Sequence, residues 1–154
     1  MVPTNIKALN EFQIQKINCG KFHSLFLSAF GQVLSCGMNN FGQLGTGCKS
    51  NYFTPTLIEN LSDVAEISSW HYSAAITKRN ELYVWGTGIF GESLKPKKIS
   101  QCDGLFKKIA VGGSFSVLVD NQNKGYLWGN SGNSYGMTSG LPAPISTLES
   151  KEVT

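Results

Sequence analysis

The feature that most constrains this chain is an internal repeat. Residues 17–47, INCGKFHSLFLSAFGQVLSCGMNNFGQLGTG, contain short apolar, β-prone runs that are separated by a turn and followed by a glycine-rich loop. The same order recurs at residues 67–91 and 109–136. Equivalent positions in the three copies are occupied by Cys36, Trp85 and Trp128. A strand-rich repeat without a helical pattern predicts the blades of a β-propeller rather than a helical solenoid.

A second signature, Pro-x-x-Ile followed by apolar residues three apart, stands at intervals of roughly 40 to 50 residues. It starts at Pro3, Pro55, Pro96 and Pro142. If it opens each copy, the repeats lie at about 3–54, 55–95 and 96–141, and a fourth starts at 142–154. We therefore predict an all-β fold, a partial β-propeller with about three blades of antiparallel strands.

The residues of the first copy carry a family resemblance. Ile-x-Cys-Gly-x-x-His-Ser-x-x-Leu, followed by Gly-x-Val-x-x-Cys-Gly-x-Asn-x-x-Gly-Gln-Leu-Gly, resembles the regulator-of-chromosome-condensation repeat. The resemblance extends over nearly the whole chain. The second copy departs from it at Ser93, and the third has Phe115 at the histidine position. The resemblance implies blades of a seven-bladed propeller.

Composition and charge exclude some classes of protein. The chain has 154 residues, of which 41% are hydrophobic and 15% charged, and its net charge is +3. That charge does not by itself predict nucleic-acid binding, which usually shows a concentrated basic face. No apolar run approaches the length of a membrane span, and the first residues lack a signal pattern. We expect an intracellular protein, cytoplasmic or nuclear, and the resemblance adds the cilium and the cytoskeleton.

Three blades do not close a ring. A propeller protects its sheet edges by radial repetition, so three copies leave two outer blade faces uncovered. We therefore expect a fragment of a longer chain, a truncated product, or one part of an assembly that completes the ring.

The cysteines do not predict a metal or redox site. Cys19, Cys36, Cys48 and Cys102 contain no pair at the two-residue spacing of a zinc or redox motif. We predict free thiols, as expected in a reducing compartment. Because Cys36 corresponds to tryptophans in the other copies, we predict that it is a buried packing residue.

One segment matches a nucleotide-binding pattern. Gly86, Gly88 and Gly91 form a Gly-x-Gly-x-x-Gly match after a predicted strand. A dinucleotide site requires a helix immediately afterwards, and Pro96 opposes a useful one. We attribute these glycines to the repeat and assign no cofactor.

His23 and His71 are the only histidines. No acid lies near His23 in sequence to complete a hydrolase triad, and two scattered histidines do not supply a metal set. The resemblance places a histidine at position 23, and we predict a structural hydrogen bond inside the blade. Trp70, beside His71, stands apart from the tryptophans of the predicted blade core.

The densest basic region admits two interpretations. It comprises Lys95, Lys97 and Lys98, with Lys107 and Lys108 following. Lysines on an outer strand discourage edge pairing, which favours a solvated strand and loop. Contact with nucleic acid, an acidic protein or a phosphoinositide is the alternative.

These observations favour a non-enzymatic platform that binds other proteins, part of a larger regulatory or scaffold protein. Loops on a rigid scaffold commonly carry binding, and the predicted loops differ between copies. The resemblance leaves two alternatives: nucleotide exchange on a small GTPase such as Ran, or an accessory propeller of a ubiquitin ligase, a kinase or a ciliary protein. Exchange would use loop acids, of which Glu92 is one candidate. We assign no catalytic, cofactor-binding or metal residue.

Overall fold

The computed structural model describes residues 2–100, 105–129 and 142–145. They form three antiparallel sheets of four strands each, preceded by a short 3-10 helix at Lys7–Leu9. The strands of the first sheet are β1 (Ile14–Cys19), β2 (His23–Ser28), β3 (Val33–Gly37) and β4 (Tyr52–Leu57). Those of the second are β5 (Val64–Ser69), β6 (Ser73–Thr77), β7 (Leu82–Gly88) and β8 (Gly91–Lys98). Those of the third are β9 (Phe106–Val111), β10 (Phe115–Asp120), β11 (Gly125–Gly129) and β12 (Ala143–Pro144).

The hairpin predicted at the centre of the first copy is present. β2 and β3 pair with Leu25 opposite Ser35, and both strands are largely buried. Their turn depends on Gly31, which has φ of +78°. A Cβ at that position would lie 2.9 Å from the backbone nitrogen of Val64 in the second sheet. Glycine therefore serves both the turn and the contact between the sheets.

The three sheets pack side by side, as propeller blades do. β5 contacts β1 and β2, and β9 contacts β5 and β6. The first strand of each sheet therefore lies innermost, and β4, β8 and β12 lie outermost. The first interface buries Leu25, Leu27, Val33, Ile58, Leu61, Val64, Ile67, Ala75 and Trp85. The second buries Tyr72, Ala74, Ile76, Leu82, Val84, Ile99, Phe106, Ile109, Leu118 and Trp128.

The prediction of an all-β fold with about three antiparallel blades is confirmed. The hydrophobic cores lie between adjacent sheets. A sheet with neighbours on both sides therefore carries apolar residues on both faces. Leu25 faces the second sheet, whereas its neighbour Phe26 is buried on the opposite side of β2.

Two of the four Pro-x-x-Ile signatures begin within an outermost strand. Pro55 is within β4, the outermost strand of the first sheet, and Pro96 is within β8, the outermost strand of the second. Outermost strands tolerate proline because an amide hydrogen on the free edge has no ladder partner to lose. The repeat boundaries at about 3–54, 55–95 and 96–141 stay a prediction, because they were placed from the sequence signature alone.

Two sheet faces point away from the second sheet. On the first sheet Ile17 is 64% exposed, and on the third Phe115 is 40% exposed. Cys36 lies opposite Ser24 on the outward face of the first sheet and is only half-buried. The prediction that Cys36 is buried was wrong, because Trp85 and Trp128 at the equivalent positions are each covered by a preceding sheet.

Candidate functional site

The Gly-x-Gly-x-x-Gly match of Gly86, Gly88 and Gly91 lies in a β-hairpin. β7 extends through Gly88, and β8 begins at Gly91, with Gly88 and Gly91 paired. A strand therefore stands where a phosphate-binding helix would have to begin. This arrangement agrees with the attribution of these glycines to the repeat.

His23 joins the first sheet to the second. Its Nε2 lies 2.7 Å from the Oγ of Ser73 on β6, and that hydroxyl donates to the carbonyl of Gln43 at 2.7 Å. Because that hydroxyl has a single hydrogen, His23 Nε2 donates to it. The ring proton is therefore on Nε2, and the unprotonated Nδ1 has no partner among the described residues. Burial lowers the pKa of His23 to about 4. The predicted structural hydrogen bond is present, but its partner belongs to the next blade rather than to the same one.

The second blade repeats this bond with different chemistry. The hydroxyl of Tyr72 lies 2.5 Å from the Oγ of Ser116 on β10, and both residues are buried. Burial raises the pKa of Tyr72 to about 12, although the bond to Ser116 acts to lower it. Phe115 occupies the same position on the third blade and has no polar atom to make such a bond. The sequence showed the shared position but not the partner across the interface.

The glycine-rich loop of the first copy is built around Asn39. Its fully buried side chain donates to the carbonyls of Cys48 and Ser50 at 2.8 and 3.0 Å and accepts from the amide of Leu44 at 2.9 Å. The loop packs on the second blade, because a Cβ at Gly45 would lie 2.9 Å from the indole of Trp85. This loop therefore has a structural role.

The described cysteines form no disulfide. Cys19, Cys36 and Cys48 are free thiols, and Cys102 lies outside the described residues. Hydrogen bonds lower the pKa of Cys48 to about 7, with the hydroxyl of Thr46 contributing most.

The basic residues do not form one surface. Lys95 and Lys97 are exposed on β8, the outermost strand of the second sheet, whereas Lys107 and Lys108 lie on β9, the innermost strand of the third. Lys98 forms an ion pair with Glu81 at 2.9 Å. This separation supports the solvated interpretation and weakens the case for one large anionic ligand.

The innermost strands carry a charged row across all three blades. Glu66 on β5 bonds to Lys16 on β1 at 2.7 Å and to Lys108 on β9. Burial acts to raise the pKa of Glu66, but the bonds from Lys108 and Lys16 hold it below its ordinary value. The row therefore ties the blades together near the propeller axis.

Glu92, the acid considered for nucleotide exchange, lies at the start of β8. It forms an exposed ion pair with Lys49, at 2.9 Å. Within residues 2–100, 105–129 and 142–145, no three histidine, cysteine or acidic residues are grouped as metal ligands. None of the helical segments in the described ranges is long and apolar enough to cross a membrane.

The β1–β2 and β5–β6 turns, at the end of the blades opposite Gly31, expose two large aromatic side chains. Phe22 is 54% exposed, and Trp70 is 41% exposed. The amide of Lys21 donates to the carbonyl of Trp70 at 3.0 Å, so the two turns are joined directly. His71 is also exposed and meets the Trp70 ring edge to face. These residues form the most accessible aromatic group of the inner turns.

Together, the stacked four-stranded sheets and the bonds between them define a β-propeller repeat protein. Residues 31–76 match the family described as "Regulator of chromosome condensation (RCC1) repeat", and residues 14–43 match a second family of the same description. Residues 14–76 therefore carry RCC1 repeats.

Similar proteins agree with the repeat and with the fold. The chain is 28% identical to human "Probable E3 ubiquitin-protein ligase HERC6" over 94% of its own length and 16% of that protein. It is similar in fold to human WBSCR16, with a TM-score of 0.79, 23% identity, and coverage of 88% of this chain and 38% of that one. Prp20p from Saccharomyces cerevisiae gives a TM-score of 0.72 at 20% identity, with coverage of 88% and 39%. The chain thus spans less than two fifths of each of these proteins.

Proposed function

We propose that the chain is a non-enzymatic platform for binding other proteins and forms part of a larger regulatory or scaffold protein. The observation that carries this proposal is that the buried polar residues of the repeat make hydrogen bonds within the scaffold. His23, Ser73 and Tyr72 bond across sheet interfaces, and Asn39 organises a loop. The characteristic polar groups of the repeat thus stabilise the scaffold, and the exposed turns differ from blade to blade.

The relatives agree with a binding role without choosing a partner. The Prp20p structure is described with its binding to Gsp1p and histones, and HERC6 is named as a probable ubiquitin ligase. An accessory propeller in a ligase is one setting in which such a platform would act. Exchange on a Ran-like GTPase rests on fold similarity alone, and Glu92 is engaged with Lys49.

Proximity labelling tests the proposal. A biotin ligase fused to this chain should enrich a reproducible set of proteins over the ligase alone, and purified members of that set should bind the purified chain directly. A parallel assay would follow release of fluorescent GDP from Ran. Release at the intrinsic rate is expected. Acceleration by the chain, with no directly binding protein found, would instead support the exchange alternative.

A further inference from the structure

The inner turns provide a more specific site. We propose that Lys21, Phe22, Trp70 and His71, hereafter the upper turn surface, bind a short acidic segment of a partner protein that carries an apolar anchor residue. This inference rests on the proposed function, because it names the surface and the chemistry through which the platform would act.

The first argument is exposure of anchors that are already held in place. Trp70 keeps 41% of its surface exposed. It is fixed by the amide of Lys21 at its carbonyl, by the ring of His71 at 6.2 Å between centroids, and by Gly113, where a Cβ would lie 3.3 Å from its indole nitrogen. A fixed aromatic loses little conformational entropy on binding. Tryptophan is also among the residues most enriched at energetic centres of interfaces.

The second argument is charge. Residues 20–22, 70–72 and 112–114, which form the three inner turns, include Lys21 and contain no aspartate or glutamate. The ammonium of Lys21 lies 5.1 Å from the centre of the Phe22 ring, so the positive charge and the apolar contact belong to one patch. Electrostatic complementarity therefore favours an acidic partner and disfavours a basic one.

The third argument separates a peptide from a nucleic acid. Single strands also stack on exposed aromatic rings, but their binding uses a positively charged groove that follows the phosphate backbone. The three inner turns contain one lysine and no arginine. An apolar anchor flanked by a few carboxylates matches this small patch better than a polyanion does.

The test uses a panel of short fluorescein-labelled peptides with the same leucine and phenylalanine positions. The flanking residues are all glutamate, all serine or all lysine. Fluorescence anisotropy with the full chain should rank glutamate above serine and serine above lysine. The affinity for the acidic peptide should fall with added salt, because exposed charges are screened.

Variants locate the site. Trp70→Ala and Phe22→Ala should each weaken acidic-peptide binding by roughly tenfold, and Lys21→Glu should reverse the preference for charge. Phe30→Ala is the matched control, because Phe30 is exposed in the β2–β3 turn at the opposite end of the first blade and should leave binding unchanged. Emission from the buried Trp85 and Trp128 would verify that each variant is folded.

Several outcomes would overturn the inference. These are absence of binding by the acidic peptide, equal loss in Phe30→Ala, tighter binding of oligothymidylate than of any peptide, and self-association of the chain through Trp70 in sedimentation. If the peptides fail while proximity labelling yields direct partners that still bind Trp70→Ala, the platform stands and only the upper turn surface is wrong.

Discussion

The imidazole of His23 and the hydroxyl of Ser73 lie 2.7 Å apart across the interface between the first two blades. Ser73 also donates to the carbonyl of Gln43, so one hydroxyl connects a strand, a neighbouring strand and the glycine-rich loop. All of these groups are buried. Because the bond joins two blades, a substitution at His23 or at Ser73 removes a hydrogen-bond partner from the neighbouring blade.

Ser73→Ala should destabilise the chain by about 2 kcal/mol, because it leaves the His23 nitrogen and the Gln43 carbonyl without their buried partner. Urea unfolding followed by tryptophan emission would measure the loss. Ser62→Ala, at an exposed loop position, should change the free energy of unfolding by less than about 0.5 kcal/mol. Equal stability of Ser73→Ala and the native chain would show that the bond contributes nothing.

The pKa of His23, lowered to about 4 by burial, predicts a dependence of stability on pH. Between pH 6.5 and about 4 the unfolded chain binds a proton that the folded chain does not. The contribution of the neutral, buried His23 to the free energy of unfolding is therefore complete above pH 6.5. It is lost as the pH falls towards 4, and the free energy of unfolding decreases by about 3 kcal/mol in total.

His23→Gln should remove this part of the pH profile, whereas His71→Gln, at an exposed position, should retain it. Unfolding free energies at several pH values between 4 and 7 would separate the histidine from carboxylates, which titrate lower. The same slope in His23→Gln and the native chain would contradict the assignment.

Gly45 and Gly91 separate two costs of replacing glycine. Both have positive φ, of +73° and +89°. A Cβ at Gly45 would lie 2.9 Å from the indole of Trp85, whereas at Gly91 nothing lies within 4 Å. Gly91→Ala should cost about 1 kcal/mol for backbone strain alone. Gly45→Ala should cost about 2 to 4 kcal/mol and alter Trp85 emission, because it adds overpacking. Equal losses would mean that the loop moves away from Trp85 freely.

The sequence predicted the blades because strand period and glycine position are local properties that recur. It identified Trp85 and Trp128 as core residues and His23 as structural. It did not show that His23 bonds to Ser73, because the partner is about fifty residues away and the two meet only when the blades stack. The prediction that Cys36 is buried was wrong for the same reason, because the burial of this position depends on packing against another blade and not on its own strand.

The sequence also did not show which side chains share a surface. In sequence, Lys97, Lys98, Lys107 and Lys108 read as one basic region, but the fold places them on an outermost and an innermost strand. Conversely, Phe22 and Trp70 are far apart in sequence, and the backbone bond between Lys21 and Trp70 brings their turns together. The residue pattern within one strand can therefore be predicted from the sequence. Contacts between blades cannot, because they depend on how whole sheets pack against each other.

Glu66 provides a test of how the innermost strands hold the blades together. Its side chain is 14% exposed and bonds to Lys16 and Lys108 from the two adjacent sheets. Glu66→Gln should lower the free energy of unfolding by about 1 kcal/mol at low salt, and less at high salt, because both lysines are partly exposed and screened. Thermal unfolding at two ionic strengths would measure this. Glu92→Gln, which removes the more exposed pair with Lys49, should cost less than about 0.5 kcal/mol. A loss in Glu66→Gln that does not change with salt would indicate lost packing rather than lost charge.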